Sequence, residues 1–184
     1  WDEIAIRDWK QRLVITFLNR SNVPIGDMRP FYSSPQKSRR RASFHLKCLS
    51  GGAIVGFREH MGQRIIAPFG CVVLHPALMN LQKKLQQFAS AHFPAGFAAD
   101  AHANLLDKHS SHPDDSNICL YLNPVSGAQP FSSGLLTKLG DWASSINLAR
   151  LSVNDHGSPM TLFAPQRPIV GFGKICVSPP PGAF

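Results

Sequence analysis

The sequence predicts an α+β fold: a sheet of antiparallel hairpins with about three helices packed on it. Three observations carry this. Short runs of alternating apolar and polar residues recur along the chain, Gly-, Asn- and Asp-bearing turns separate several of them, and three longer stretches repeat their apolar residues at helical spacing. A chain of 184 residues is long enough to bury a core without disulfides, and one domain is expected.

The first helix is read from Asp2 to Arg20, where Ile4, Ile6, Trp9, Leu13, Val14, Phe17 and Leu18 form the packing stripe and Ser21-Asn22-Val23-Pro24 ends the run. A connector follows, with Pro30 and Pro35 blocking regular structure. From Arg39 to Lys47, Ala42, Phe44 and Leu46 fall on one face and Arg39, Arg41, Ser43, His45 and Lys47 on the other, as in a half-buried strand. Arg40 falls on the apolar side and is expected to pair with an acid or cap a domain contact. Gly51-Gly52 is read as a two-residue turn, which pairs Leu46 with Phe57 and His45 with Arg58 on the returning strand Ala53 to Glu59. A short third strand runs through Arg64-Ile65-Ile66.

His75-Pro76 opens the second helix, to about Ser90, with Leu78, Leu81, Leu85 and Phe88 inward. Ala99 to Leu106 is rich in alanine, yet Asp100, His102 and Asn104 alternate with Ala101, Ala103 and Leu105, so a strand is predicted. Ile118 to Leu122 returns as another strand. Ser132 or Ser133 caps a helix from Gly134 to about Ile146. Leu148 to Val153 and Met160 to Phe163 pair about a turn at Asn154-Asp155-His156-Gly157, and two short strands, Ile169 to Phe172 and Lys174 to Val177, complete the set.

Composition narrows the function. Residues 1–66 hold 12 of the 19 Lys and Arg but 5 of the 11 acids, so the basicity is concentrated in one third of the chain. Such a concentration suits a polyanion, most commonly nucleic acid, and is also compatible with a plain solvated face. No apolar run is long enough to span a bilayer, so no membrane partner is expected. The start lacks the pattern of a signal peptide and of an initiator Met, as if excised from a longer protein. Cys48, Cys71, Cys119 and Cys176 are widely spaced, which suits reduced thiols and a cytoplasmic protein; none is expected in a disulfide, and a monomer is expected.

Gly51-Gly52 and Gly171-Phe172-Gly173 lack the strand, helix and acid of a dinucleotide site, and no nucleophile elbow, P-loop or zinc-protease motif occurs. His102, His109 and His112 with Asp100 and Asp107 can be drawn as a metal site, but the spacing matches no recognised motif, and solvated turn residues are the expected reading of His109 and His112.

Three segments in order resemble the class I S-adenosylmethionine-dependent RNA (uracil-5-)-methyltransferases. Ser38-Arg39-Arg40-Arg41-Ala42-Ser43-Phe44-His45-Leu46 with Val55-Gly56-Phe57-Arg58 looks like the family's Arg-rich strand and its Gly-Phe-Arg return. Cys71-Val72-Val73-Leu74-His75-Pro76-Ala77-Leu78 resembles its Cys-Pro-x-Leu segment, with Val72 where the family has Pro. Pro180-Pro181-Gly182-Ala183-Phe184 resembles the junction where a Phe-x-Gln motif opens.

The resemblance implies that this chain is the central, RNA-contacting domain of a larger enzyme. The N-terminal barrel with the cluster cysteines and the C-terminal Rossmann-like domain for S-adenosylmethionine would lie outside it. A catalytic Cys and a carboxylate base, neither in this sequence, would methylate C5 of a uridine in rRNA or tRNA. Arg39, Arg41, His45, Lys47 and Arg58 would contact RNA, Phe184 would lie beside the target base, and Cys71 would be the fourth ligand of a [4Fe-4S] cluster. The chain alone is expected to be inactive and to hold neither cofactor. The alternative is a standalone RNA-binding or ribosome-associated module.

Overall fold

The computed structural model describes residues 2–29, 31–106, 117–125, 127, 131–172 and 174–182. It has two compact units, residues 1–35 and 36–184. In the first, helix α1 (Glu3–Arg20) starts where the Asp2 carboxylate accepts the Ile4 N–H at 2.9 Å. No residue of α1 is buried, and the expected stripe members Ile4, Trp9, Leu13, Val14 and Phe17 are exposed. The helix boundaries agree with the sequence pattern; its packing stripe does not, because so short a unit has no core of its own to bury it.

The second unit is α+β, as predicted. Its elements are β1 (Arg41–Leu49), β2 (Gly52–Arg58), β3 (Ile65–Ile66), α2 (Pro76–His92), β4 (Ala98–Leu105), β5 (Ile118–Pro124), α3 (Ser133–Ser145), β6 (Arg150–Asp155), β7 (Ser158–Phe163), β8 (Val170–Phe172) and β9 (Ile175–Val177). β1 to β7 make one sheet in the order β3-β2-β1-β4-β5-β6-β7; β8 and β9 form a separate hairpin. Neighbours are antiparallel except β5 and β6, which run parallel on either side of α3 and so form a crossover rather than a hairpin.

One face of the sheet is the core. Ala42, Phe44, Leu46 and Cys48 of β1 and Ala99, Ala101 and Ala103 of β4 are buried in it, with α2 packed on β1, β2 and β4 and α3 on β6 and β7. The small alanines of β4 let the helices approach the middle of the sheet. Leu78, Leu81, Leu85 and Phe88 are buried along α2 at helical spacing, each contributing about 1.5–3 kcal/mol by leaving water. Phe88 packs on Trp142 of α3 with ring centroids 5.0 Å apart, joining the two helices. Gln82 is buried and donates to the Val55 carbonyl at 2.6 Å, while the Ser90 hydroxyl accepts the Ala53 N–H at 2.9 Å, so α2 also holds the β2 backbone.

The β1–β2 register differs from the expected one by two residues. Leu49 pairs with Gly52, His45 with Gly56 and Leu46 with Val55. The turn is therefore Ser50-Gly51, and Gly52, at φ +131°, already belongs to β2. Phe57 moves to the level of Phe44, the two rings 5.2 Å apart. At the far end of the sheet the β6–β7 turn is His156-Gly157, both with positive φ (49° and 86°), which matches the twist of the strands it joins.

Candidate nucleic-acid interface

The second face of the sheet is polar, and its side chains line up in rows across the strands. One row is Arg41, Asn104, Cys119 and Arg150; the next is Ser43, His102, Tyr121 and Ser152; a third begins with His45, Asp100 and Asn123. The alternation that buries one side of β1 and β4 places these residues on the other.

Within the rows the side chains bond across strands. The His45 Nδ1–H donates to Asp100 Oδ1 at 2.6 Å, Ser43 Oγ and His102 Nδ1 are hydrogen-bonded at 3.0 Å, and Asn154 Nδ2 donates to Asn123 Oδ1 at 2.7 Å. The His102 ring stacks on Tyr121, centroids 6.1 Å apart and planes 18° from parallel. Burial lowers the basicity of His102; nearby Asp100 opposes this and His45 adds to it. Burial also raises the Tyr121 phenol above its usual range.

A proline-rich strap covers the β5–β6 end of this face. Arg150 is buried, and its guanidinium donates to the Pro179 carbonyl at 2.7 Å and the Pro180 carbonyl at 3.0 Å. Gly182 lies against Tyr121 so closely that a Cβ there would sit 3.0 Å from Cδ1, and its φ of +73° favours glycine. Between strap and sheet a crevice is lined by His102, Asn104 and Tyr121. The β1–β4 end of the face stays open: Arg41, Ser43 and Lys47 are exposed, and His45 and Asp100 half-buried.

The structure thus brings Arg41, His45 and Lys47 together on one strand face. Arg39 is exposed just before β1, where its backbone bridges to Leu74 and its Nε donates to the Arg41 carbonyl at 3.2 Å. Arg58 is on the same face of the sheet but does not oppose His45; that position is Gly56. A Cβ at Gly56 would meet the Ile66 carbonyl, so the backbone leaving β3 occupies the space opposite His45 where the sequence pattern puts a cation. Arg40 turns away from this face and donates through Nε to the Leu105 carbonyl at 3.0 Å and through Nη2 to that of Leu106, tying β1 to the end of β4.

Cys71 is half-buried against the core on the segment before α2. The four cysteines are free thiols: Cys48 and Cys119 are buried, Cys176 is exposed, and burial pushes the Cys48 thiol up to about 11. Among the described residues no group of three His, Cys, Asp or Glu could hold a metal ion. Asp100 and His102 are engaged with His45 and with Ser43 and Tyr121, while Asp107, His109, His112 and Phe184 lie outside the described residues. No described helix is long and apolar enough to cross a membrane.

Arg150 is not singled out by the sequence, and the strap appears there only as the segment Pro180 to Phe184 that resembles a family junction, with no partner assigned to it. The available signal was a lone arginine entering an otherwise apolar strand between Leu148 and Leu151, where a buried cation needs acceptors.

An α+β sheet with one helix-covered face and one open, basic and polar face is a surface suited to a polyanion. No family model matches the chain. It is similar over its whole length, at 25% identity across 184 residues, to proteins named uncharacterized RNA methyltransferase from Brucella suis biovar 1 and Brucella melitensis biotype 1, covering 40% of each. A protein of the same description from Caulobacter vibrioides is 22% identical over 193 residues, all of this chain and 42% of the relative. The chain is thus related to proteins named RNA methyltransferases and spans about two fifths of their length.

Proposed function

We propose that this chain is the RNA-positioning domain of an RNA (uracil-5-)-methyltransferase, in which a separate domain transfers the methyl group from S-adenosylmethionine to C5 of a uridine in rRNA or tRNA. The observation that carries the reading is the open half of the sheet face, where Arg41, His45 and Lys47 project from one strand in a related sequence of RNA methyltransferase name. Arg41 and Lys47 are six residues apart on the strand, about 20 Å at the rise of an extended chain, so they can meet separated phosphates of one backbone without reading sequence.

In this reading the strap leads from the sheet toward the domain that holds the target base, and Arg150 fixes its path. S-adenosylmethionine would supply an electrophilic methyl group, and the cysteine and base acting on uracil would come from that other domain. Cys71 fits a cluster ligand in position, half-buried and next to a turn, but this chain's described residues offer it no partner thiolates; the other three would come from outside. The residues present here bind and orient.

The test uses the full-length protein that contains this chain, with S-adenosylmethionine and total rRNA or tRNA. The expected product is 5-methyluridine at a defined site, detected by nucleoside mass spectrometry. Methylation at another atom, or none with RNA still bound, would replace the uracil-5 reading, the second outcome in favour of a binding module.

A further inference from the structure

We infer that the groove between the N-terminal half of α2 and the end of α3 is a second RNA contact, a pocket for one unstacked nucleotide, distinct from the β1–β4 face. This rests on the RNA reading above but on different residues. The groove encloses about 590 Å³, within the roughly 300–1,000 Å³ of small-molecule sites. Its floor is apolar: Leu81, Ile118 and Leu148 are buried side chains of three different elements or their ends. Its rim is polar, and the one charged side chain among its described residues is Lys84, half-buried, with the amides of Asn80 and Asn147 exposed.

His75 sharpens the chemistry. Its Nδ1 accepts the Ala77 N–H at 3.2 Å, so the neutral ring carries its proton on Nε2 and can donate to a ligand. Asn147 holds a left-handed conformation, φ 55°, in the turn between α3 and β6 that lines the groove. An apolar floor suits the face of a base, two amides suit its hydrogen-bonding edge, and Lys84 suits its phosphate; among the described residues no acidic side chain lines the groove to repel one. A free anion would not need the floor, and an apolar peptide would leave the rim unsatisfied.

The experiment is a titration of the 184-residue chain followed by amide NMR, with uridine 5′-monophosphate, adenosine 5′-monophosphate, uridine and inorganic phosphate as separate probes. The monophosphates are expected to shift amides of Ala77–Lys84 and Ile146–Ala149, with uridine and phosphate each binding more weakly. Lys84→Ala should weaken the monophosphates about five- to tenfold, the scale of one charge-assisted contact, and leave uridine unchanged. Asn147→Gly keeps the left-handed turn, so it should lose affinity without losing the fold.

No shift in these amides with any probe overturns the pocket, as does phosphate alone matching the monophosphates. A uridine decamer separates the two readings. Shifts only on β1 and β4 remove the pocket and leave the open face; shifts only at the groove do the reverse.

Discussion

The His45 imidazole and the Asp100 carboxylate face each other across β1 and β4, with Nδ1 2.6 Å from Oδ1 and both side chains partly open to water. The pair fixes the ring and sets one acid among the cations of β1. Arg41 and Lys47 lie on either side of it along the strand, and in the proposed RNA reading they would carry the attraction for phosphate.

Replacing Arg41 and Lys47 together with Ala should weaken RNA binding across sequences and flatten the log-log salt dependence by roughly 1.4, for two single-strand phosphate contacts. Melting should hardly change, since both side chains are exposed. Binding measured at several salt concentrations checks this; an unaltered slope would remove the open face from the RNA path.

Arg40 should behave in the opposite way. Its guanidinium holds the carbonyls of Leu105, the last residue of the adjacent strand, and of Leu106 just beyond it. Arg40→Met should cost about 1–3 kcal/mol, the range for a charged donor leaving partly buried acceptors, and shift RNA affinity little. Parallel urea melts and binding curves distinguish the two arginines.

The strap reports through Tyr121. Arg150→Ala removes both guanidinium bonds to Pro179 and Pro180, and Gly182→Ala puts a methyl against the Tyr121 ring. Each should free the strap and let the Tyr121 phenol ionise nearer its ordinary value of 10.0, because burial is what raises it. Tyr32 is exposed and serves as the internal reference in an NMR titration of the two tyrosines. No movement of the Tyr121 titration in either variant would show that the strap does not shield it.

His102 predicts an acid-side loss of stability. Its folded pKa lies below the ordinary 6.5, so the unfolded chain binds the proton more readily. The contribution is complete above pH 6.5 and is lost as the pH falls from there toward the folded value. His102→Gln should flatten this part of the stability profile, measured by denaturant melts between about pH 7.5 and 5.5, the window in which an ordinary histidine titrates.

Alternation made the fold class readable. Ala99, Ala101 and Ala103 are buried and Asp100, His102 and Asn104 are not, so β4 was visible despite its helix-favouring composition. The same period hid the β1–β2 register: a slip of two residues returns every side chain to its own face, and only the turn can decide between Ser50-Gly51 and Gly51-Gly52. Arg41, His45 and Lys47 share a face because they share a strand, which a sequence shows directly. The lone Arg150 signals only that acceptors are needed, and an intervening helix only that β5 and β6 can pair in parallel; that the acceptors are Pro179 and Pro180 and that these two strands are neighbours depend on tertiary placement.

The sheet order also sets a sequence of assembly. β1 can join β2 through a tight turn as soon as both exist, but its other edge waits for β4, which is made only after the whole of α2. Until then a strand with Phe44 and Leu46 on one side offers unpaired backbone to any passing chain. Arg41 and Lys47 stand on that waiting edge, and two like charges are a standard deterrent to pairing with a second copy. Neutralising them should therefore leave the finished protein as stable as before while lowering its refolding yield at high concentration, with the losses appearing as aggregate.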